Sequence, residues 1–203
     1  MKILVTGFEP FGGEHLNPAW EAVSRMPDEI AGAHVLRLQV PTVFDRAGDV
    51  LTAAMDMELP DIVICVGQAG GRGMFTPERV AINLQDAASP DNAGLRPEEK
   101  PIDPNGPAAY FANLPLKQIV KAVNEAGIPS AVSNTAGTFV CNDLMYRLLK
   151  YIHSSPRKIR GGFIHVPYET DQLEGKPAGT PAMPLAQIIR GLETAVKTAV
   201  QYF

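Results

Sequence analysis

Apolar and polar positions along this chain switch repeatedly between a period of about two and a period of about 3.6, the signatures of strands and helices. Residues 3–5 form a short apolar run that reads as a buried strand. Asn17-Pro18 follows, a capping side chain and then a proline suited to a first helical turn, so a helix is predicted through Trp20 and Val23. Residues 34–40 alternate as a second strand, and 42–57 place Val43, Ala47, Val50, Leu51 and Ala54 at helical spacing. The stretch 61–67, DIVICVG, is almost wholly apolar, as a strand covered on both faces would be. A glycine-rich loop at 68–76 and a strand at 79–84 come next. Residues 86–107, rich in Pro, Asn, Asp and Gly, carry no periodicity, and a loop of that length is usually functional or mobile. A helix at 117–126 stopping at Gly127, a short strand at 131–133, a helix at 142–153 and a strand at 162–166 follow. A last helix at 184–200 buries Leu185, Ile188, Ile189, Leu192, Val196 and Val200. Strands alternating with helices specify an α/β fold, a three-layer α/β/α arrangement with a largely parallel, mixed central sheet. No repeat or linker divides residues 1–203, so a single domain is expected.

Composition narrows the partners. Eighteen Lys and Arg against 22 Asp and Glu give a net charge of −4 without a basic block. Neither nucleic acid nor an anionic membrane surface therefore has electrostatic support as a partner. No apolar run approaches the roughly 20 residues of a membrane span, and Glu9 and Glu14 arrive too soon for a secretory leader. Two cysteines in 203 residues do not make a disulfide framework. A cytoplasmic protein with both thiols reduced is expected.

The opening loop, Thr6-Gly7-Phe8-Glu9-Pro10-Phe11-Gly12-Gly13-Glu14, joins a strand to a helix start, the usual setting of a phosphate site. Its spacing argues otherwise. Gly7 and Gly12 fit a P-loop, but Gly13 and Glu14 stand where lysine and a hydroxyl are needed. A carboxylate there repels phosphate, and two phenylalanines suit an uncharged, partly apolar ligand. The second glycine loop, Gly67-Gln68-Ala69-Gly70-Gly71-Arg72-Gly73, fails the dinucleotide fingerprint because Thr76 occupies its third glycine position.

Two thiols have opposite settings. Cys65 lies inside an apolar strand, where cysteine behaves as a small hydrophobe. Cys141 follows a glycine turn and precedes a helix, a place where free backbone N–H groups lower a thiol pKa from about 8.5 and can hold an oxyanion. That stretch alone also suits a buried cysteine that merely starts a helix. Of the four histidines, His165 ends a predicted strand in GGFIHVP, at the sheet edge where ligands bind in open α/β folds. Glu78 precedes a strand and suits the orienting member of a triad, although by composition alone a surface pair with Arg79 is the better account of it. No His/Cys pair has metal-ligand spacing, so no metal is expected.

The stretches TGFEPFGG with NPAWEAV, PTVFD, GQAGGRGMFTPERVAINL, SPDNAG, AYFANLP, SNTAGTFVCN and FIHVPY run almost end to end. Together they resemble the type I pyroglutamyl peptidases (pyrrolidone-carboxylate peptidases), a family of cytosolic cysteine peptidases. The resemblance implies a triad of Glu78, Cys141 and His165, and hydrolysis of the bond after an N-terminal pyroglutamyl residue. It implies no cofactor, pyroglutamyl-blocked peptides as substrates, and a homo-oligomer, tetramer or dimer. It also implies a lactam slot between Phe8 and Phe11, with Thr42, Phe139 and Val140 nearby and Gln68 at its polar edge. A neutral lactam has no charge to lose there, whereas an ordinary peptide would bury an α-ammonium. Three departures stand out. The family's usual DARIPDN is here Asp86-Ala87-Ala88-Ser89-Pro90-Asp91-Asn92, so Ala88 and Ser89 replace an arginine and a pocket-closing aliphatic. Asp143 stands where a histidine is common, a carboxylate expected to oppose a thiolate slightly. Phe75 replaces an aliphatic.

Overall fold

Residues 1–203 are all described by a computed structural model, in which each strand's apolar faces decide the layering. Strand β1 (Lys2–Phe8), buried from Ile3 onward, leads through the first glycine loop into helix α1 (Pro18–Ser24). Asn17 caps this helix by accepting from the Ala19 N–H at 3.1 Å, and Pro18 supplies a φ suited to the first turn. A short β2 (Glu29–Ile30) and β3 (Ala33–Val40) form an antiparallel pair, followed by α2 (Arg46–Glu58) and β4 (Ile62–Gln68). Short strands β5 (Thr76–Pro77), β6 (Val80–Ile82) and β7 (Ala109–Phe111) precede α3 (Leu116–Glu125) and α4 (Val140–Ser154). The chain ends with β8 (Arg160–Val166), β9 (Tyr168–Glu169), a 3-10 turn, β10 (Ala182–Met183) and α5 (Leu185–Gln201).

The main sheet runs β2-β3-β1-β4-β8-β5. Strands β3, β1, β4 and β8 are mutually parallel, and the two short edge strands are antiparallel. That is the mixed, largely parallel sheet expected. Alternation along β4 divides the core: Ile62, Ile64 and Val66 pack with α1, α3 and α5, while Val63 and Cys65 pack with α2 and α4. Strand β1 has β3 on one side and β4 on the other, so the crossovers leave in opposite directions. The crevice at this switch point opens at the carboxyl ends of β1 and β4, where both glycine loops begin.

The first loop's glycines serve the backbone. A Cβ on Gly7 would lie 2.7 Å from Trp20 Cα, so only glycine lets α1 approach β1 this closely. Gly12 and Gly13 take φ of 64° and 81°, the left-handed region that side chains rarely adopt.

Three predicted elements differ. The helix expected over 42–57 begins only at Arg46, because Asp45 has φ 61° and 42–44 are held by side chains from elsewhere. The Thr42 N–H donates to Glu9 Oε1 at 3.1 Å and the Phe44 N–H to Asp91 Oδ2 at 2.9 Å. Residues 131–133 join no sheet; Ser130 and Ser133 make isolated bridges to Phe75 and Glu78. Helix α4 begins two residues earlier than expected, which draws Cys141 into its first turn. The 86–107 loop is irregular as expected, but Asp91 and Asn92 tie it down: the Asp91 carboxylate accepts from the Phe44, Ala93 and Leu95 N–H groups, and the Asn92 amide donates to Glu9 and to the Pro10 carbonyl. No helix is long and apolar enough to cross a membrane.

Replacing Gly7 by alanine sets a methyl group against helix backbone, and we expect a loss of about 1–3 kcal/mol. Urea denaturation measures it; an unchanged midpoint would mean that α1 moves aside without cost.

Candidate active site

Three segments far apart in sequence meet beyond the carboxyl ends of β4 and β8. His165 is the penultimate residue of β8 and only 4% exposed. Edge strand β5 pairs antiparallel with β8, setting Thr76 opposite His165, and the Glu78 N–H continues that pairing by donating to the Phe163 carbonyl at 2.8 Å. This places Glu78 Oε1 2.7 Å from His165 Nδ1, with Glu78 fully buried. The surface pairing of Glu78 with Arg79 is not found. Arg79 donates to Asn134 at 2.7 Å, and the cation on Glu78 is Arg72, at 2.6 Å.

Cys141 reaches the same place from α4. Parallel pairing sets Gly67 of β4 opposite His165 of β8. A Cβ on Gly67 would lie 2.9 Å from Cys141 Sγ and 2.7 Å from Phe163 Cζ. The thiol therefore rests on bare backbone one strand, about 4.8 Å, from the histidine's chain. The Phe163 ring packs 4.8 Å from the imidazole and closes the floor. Cys65, deep in β4, is fully buried, and burial pushes its thiol up to about 12. It is the core cysteine expected.

The lowered thiol pKa expected of Cys141 is not what the resting site has. Burial, and then the Glu78 charge, push this thiol up to about 12, with Arg72 pulling the other way. A hydrogen bond from its own backbone N–H also lowers it, without overcoming those two causes. Burial likewise holds His165 below the usual imidazole value, against the pull of Glu78. Glu78 itself lies below the usual carboxylate value: burial raises it, but His165, Ser133 and Arg72 outweigh that. The resting site is thus thiol, neutral imidazole and carboxylate. Asp143 plays no part in holding the thiol protonated. Its carboxylate turns to the Asp45 N–H, Gln85 and Arg147, at 3.0, 2.9 and 3.1 Å.

Aromatic rings line the adjoining space. Phe8 lies 6.3 Å from Phe163, and Phe11 lies 6.2 Å from Phe139. Phe139 meets Phe44 edge-on at 5.3 Å. Val140 is buried in the same cluster, and the Thr42 hydroxyl donates to the Glu9 carbonyl at 3.0 Å, tying its segment to the Phe8–Phe11 loop. Of the residues foreseen, Phe8, Phe11, Phe139, Val140 and Thr42 converge. The Gln68 side chain does not. It follows Gly67 and so points to the opposite face, where its Oε1 accepts from Gln172 at 3.0 Å. Ala87 is buried while Ala88 and Ser89 are exposed. Phe75 is a core residue, in the space left by Gly191. Two residues went unremarked in the sequence, Phe44 in PTVFD and Arg72 in GQAGGR. No group of three or more His, Cys, Asp or Glu side chains could hold a metal ion.

A thiol beside a carboxylate-oriented imidazole is the equipment of a cysteine-type hydrolase. Comparison with known proteins gives the family. The pyroglutamyl peptidase family model matches residues 1–202. Pyrrolidone-carboxylate peptidase of Streptococcus suis is 50% identical over 202 residues, covering 100% of this chain and 94% of that protein. The Thermococcus kodakarensis protein of the same name is 52% identical over 97% and 95% of the two chains. The crystal structure of pyroglutamyl peptidase I from Bacillus amyloliquefaciens superposes with a TM-score of 0.94 at 51% identity, over 98% of this chain and 97% of the other. A mutant pyrrolidone carboxyl peptidase from the hyperthermophile Pyrococcus furiosus gives 0.96 at 40% identity over 100% of both. The chain belongs to the pyroglutamyl peptidase family.

With the resting thiol protonated, alkylation of Cys141 by iodoacetamide should keep accelerating as pH rises well beyond the ordinary thiol pKa of about 8.5. Peptide mass spectrometry after timed labelling reads the rate. A plateau below that pH would show that the helix N-terminus outweighs burial.

Proposed function

We propose that this protein hydrolyses the amide bond after an N-terminal pyroglutamyl residue, releasing 5-oxoproline through a thioester on Cys141. The observation that carries this reading is the buried Glu78–His165 contact of 2.7 Å, with Cys141 Sγ seated against Gly67 on the neighbouring strand. The aromatic slot of Phe8, Phe11 and Phe139, with Val140 and Thr42, supports the substrate class. Gln68 would contribute at the polar edge through its backbone, its side chain being bonded to Gln172.

In the proposed reaction the thiol proton passes to the free ring nitrogen of His165 as sulfur bonds to the pyroglutamyl carbonyl carbon. Negative charge collects on the carbonyl oxygen, where the Val140 and Cys141 N–H groups at the start of α4 receive it; those of Asn142 and Asp143 already donate to the Phe139 carbonyl. The C–N bond then breaks, and the imidazolium gives its proton to the leaving amine. Water attacks the thioester with His165 taking a proton, and the thiol is restored. Glu78 accepts the Nδ1–H throughout, which fixes the tautomer and stabilises the imidazolium.

We extend the reading to a homo-oligomer, tetramer or dimer, working in the cytoplasm. Two free cysteines and large apolar side chains at the surface, among them Phe111 at 69% exposure, support it.

Release of a fluorophore from a pyroglutamyl amide, with the prolyl amide as control, tests the activity. We expect cleavage of the first alone, abolished in Cys141→Ser and mostly kept in Cys65→Ser. Equal loss in both would assign the wrong thiol, and binding without release would leave a binding module. Replacing Ser89 with isoleucine, to restore a closing aliphatic, should lower KM by a factor corresponding to about 1 kcal/mol. An unchanged KM would show that residue 89 does not wall the slot.

A further inference from the structure

Arg72 is not one of the three residues expected to carry the chemistry, yet its guanidinium sits at their centre. One nitrogen, Nη1, donates to Glu78 Oε1 at 2.6 Å and to the Thr76 hydroxyl at 3.0 Å; the other, Nη2, donates to the Thr135 carbonyl at 3.0 Å. The Oε1 atom that receives Arg72 is the one that receives His165 Nδ1 at 2.7 Å. Glu78 Oε2 is buried without any partner. The carboxylate's charge is therefore shared between one cation and one imidazole on a single oxygen. The Thr135 contact adds a second tie, since Thr135 belongs to the turn that delivers Cys141.

We propose that Arg72 is a positioning residue of the hydrolytic site: it competes with His165 for Glu78 Oε1, setting how strongly Glu78 draws a proton onto the imidazole, and it anchors the turn ahead of the nucleophile. The proposal rests on the hydrolytic reading above. The groups facing the imidazole are few. Glu78 comes from the end of β5, Arg72 from the loop after β4, Cys141 from α4, and Cys65 lies deeper in β4. Arg79 and Asp143 are turned away to Asn134 and to Arg147. Arg72 opposes the charge of Glu78 at both partners, lowering His165 and Cys141 alike, while Glu78 raises both.

The sign follows. Without the cation, Glu78 acts on His165 unopposed, and the imidazole keeps its proton to higher pH. A ring that is already charged cannot take the thiol proton.

The test uses Arg72→Gln, which removes charge but keeps a donor, and Arg72→Lys, which keeps charge. His165 is titrated by NMR in protein alkylated at Cys141, a readout that needs no turnover. Thermal melting confirms folding, and kcat and KM are measured on the pyroglutamyl amide. We expect the His165 titration to move to higher pH in Arg72→Gln and to stay near wild type in Arg72→Lys. The kcat should fall at least tenfold in Arg72→Gln, with KM within about twofold and partial recovery in Arg72→Lys. An unmoved titration in Arg72→Gln, or equal loss of kcat in both variants, would overturn the proposal and leave Arg72 a tie between loops. Should the wild type cleave no pyroglutamyl amide, the functional reading fails while the titration still decides the role of Arg72.

Discussion

A carboxylate fully withdrawn from water is the constraint around which this molecule is arranged. Moving such a charge into a protein interior costs several kcal/mol in real proteins unless partners replace its water. Glu78 meets that cost with donors from two separate elements, His165 at the end of β8 and Arg72 in the loop after β4, both on Oε1. Its own backbone is held by β8 through the Phe163 carbonyl. Solvating one buried charge therefore ties together an edge strand, a central strand and a glycine loop. The same contact orients the imidazole. In the proposed reaction a structural necessity and a catalytic one share that oxygen atom.

The second constraint is steric. Parallel register puts Gly67 across from His165, and the missing Cβ at Gly67 is the space that Cys141 Sγ and the Phe163 edge occupy. A Cβ there would crowd Cys141 Sγ, the nucleophile of the proposed reaction, at 2.9 Å. At Gly7 the same absence lets α1 close on β1. The two glycine loops thus resemble phosphate loops because both need backbones at close range, yet what they bring near is a thiol and a pair of aromatic rings. Burial then sets the chemistry at rest. Burial holds the Cys141 thiol up and the His165 imidazole down, so in the proposed reaction the proton moves as sulfur attacks.

Much of this was legible in the chain, for identifiable reasons. The apolar run 61–67 and the helical spacing of 184–200 are long enough for periodicity to decide, and both elements appear. Residue type at strand and helix ends marks Cys141 and His165 as candidates, while the full triad with Glu78 comes from the family resemblance; the structure brings Glu78 and His165 together and sets Cys141 Sγ against Gly67. Periodicity failed at 42–45, where Asp91 and Glu9, distant in sequence, hold the backbone in a non-helical path. It failed at 131–133, where two isolated bridges imitate a strand. Strand alternation sends the Gln68 side chain to the face opposite Gly67, so only its backbone is left to meet a ligand on the Cys141 side, which no motif records. The direction of the Cys141 shift was missed for a related reason. A helix N-terminus is visible in sequence, but the burial and the Glu78 charge that raise the thiol come from other elements. Arg72 was passed over because its importance lies in a shared oxygen atom, not in a pattern.

The preference for a blocked amine in the proposed reaction depends on what the slot withholds as much as on its rings. Charged groups do border it, and a free α-ammonium would be stabilised by any carboxylate left open. Glu9, between the two phenylalanines of the first loop, is engaged through Oε1 by the Thr42 N–H and the Asn92 amide. Asp91 accepts from the Phe44, Ala93 and Leu95 N–H groups. Glu14, further along the same loop, is paired with Lys176. Each of these carboxylates already accepts a hydrogen bond or pairs with a cation. An ammonium entering among Phe8, Phe11 and Phe139 would lose its water and displace an existing bond before gaining a new one, whereas a lactam enters without that loss. Discrimination by an unmet solvation cost needs no dedicated recognition residue, and it survives the exchange of individual wall residues better than a hydrogen-bond reader would.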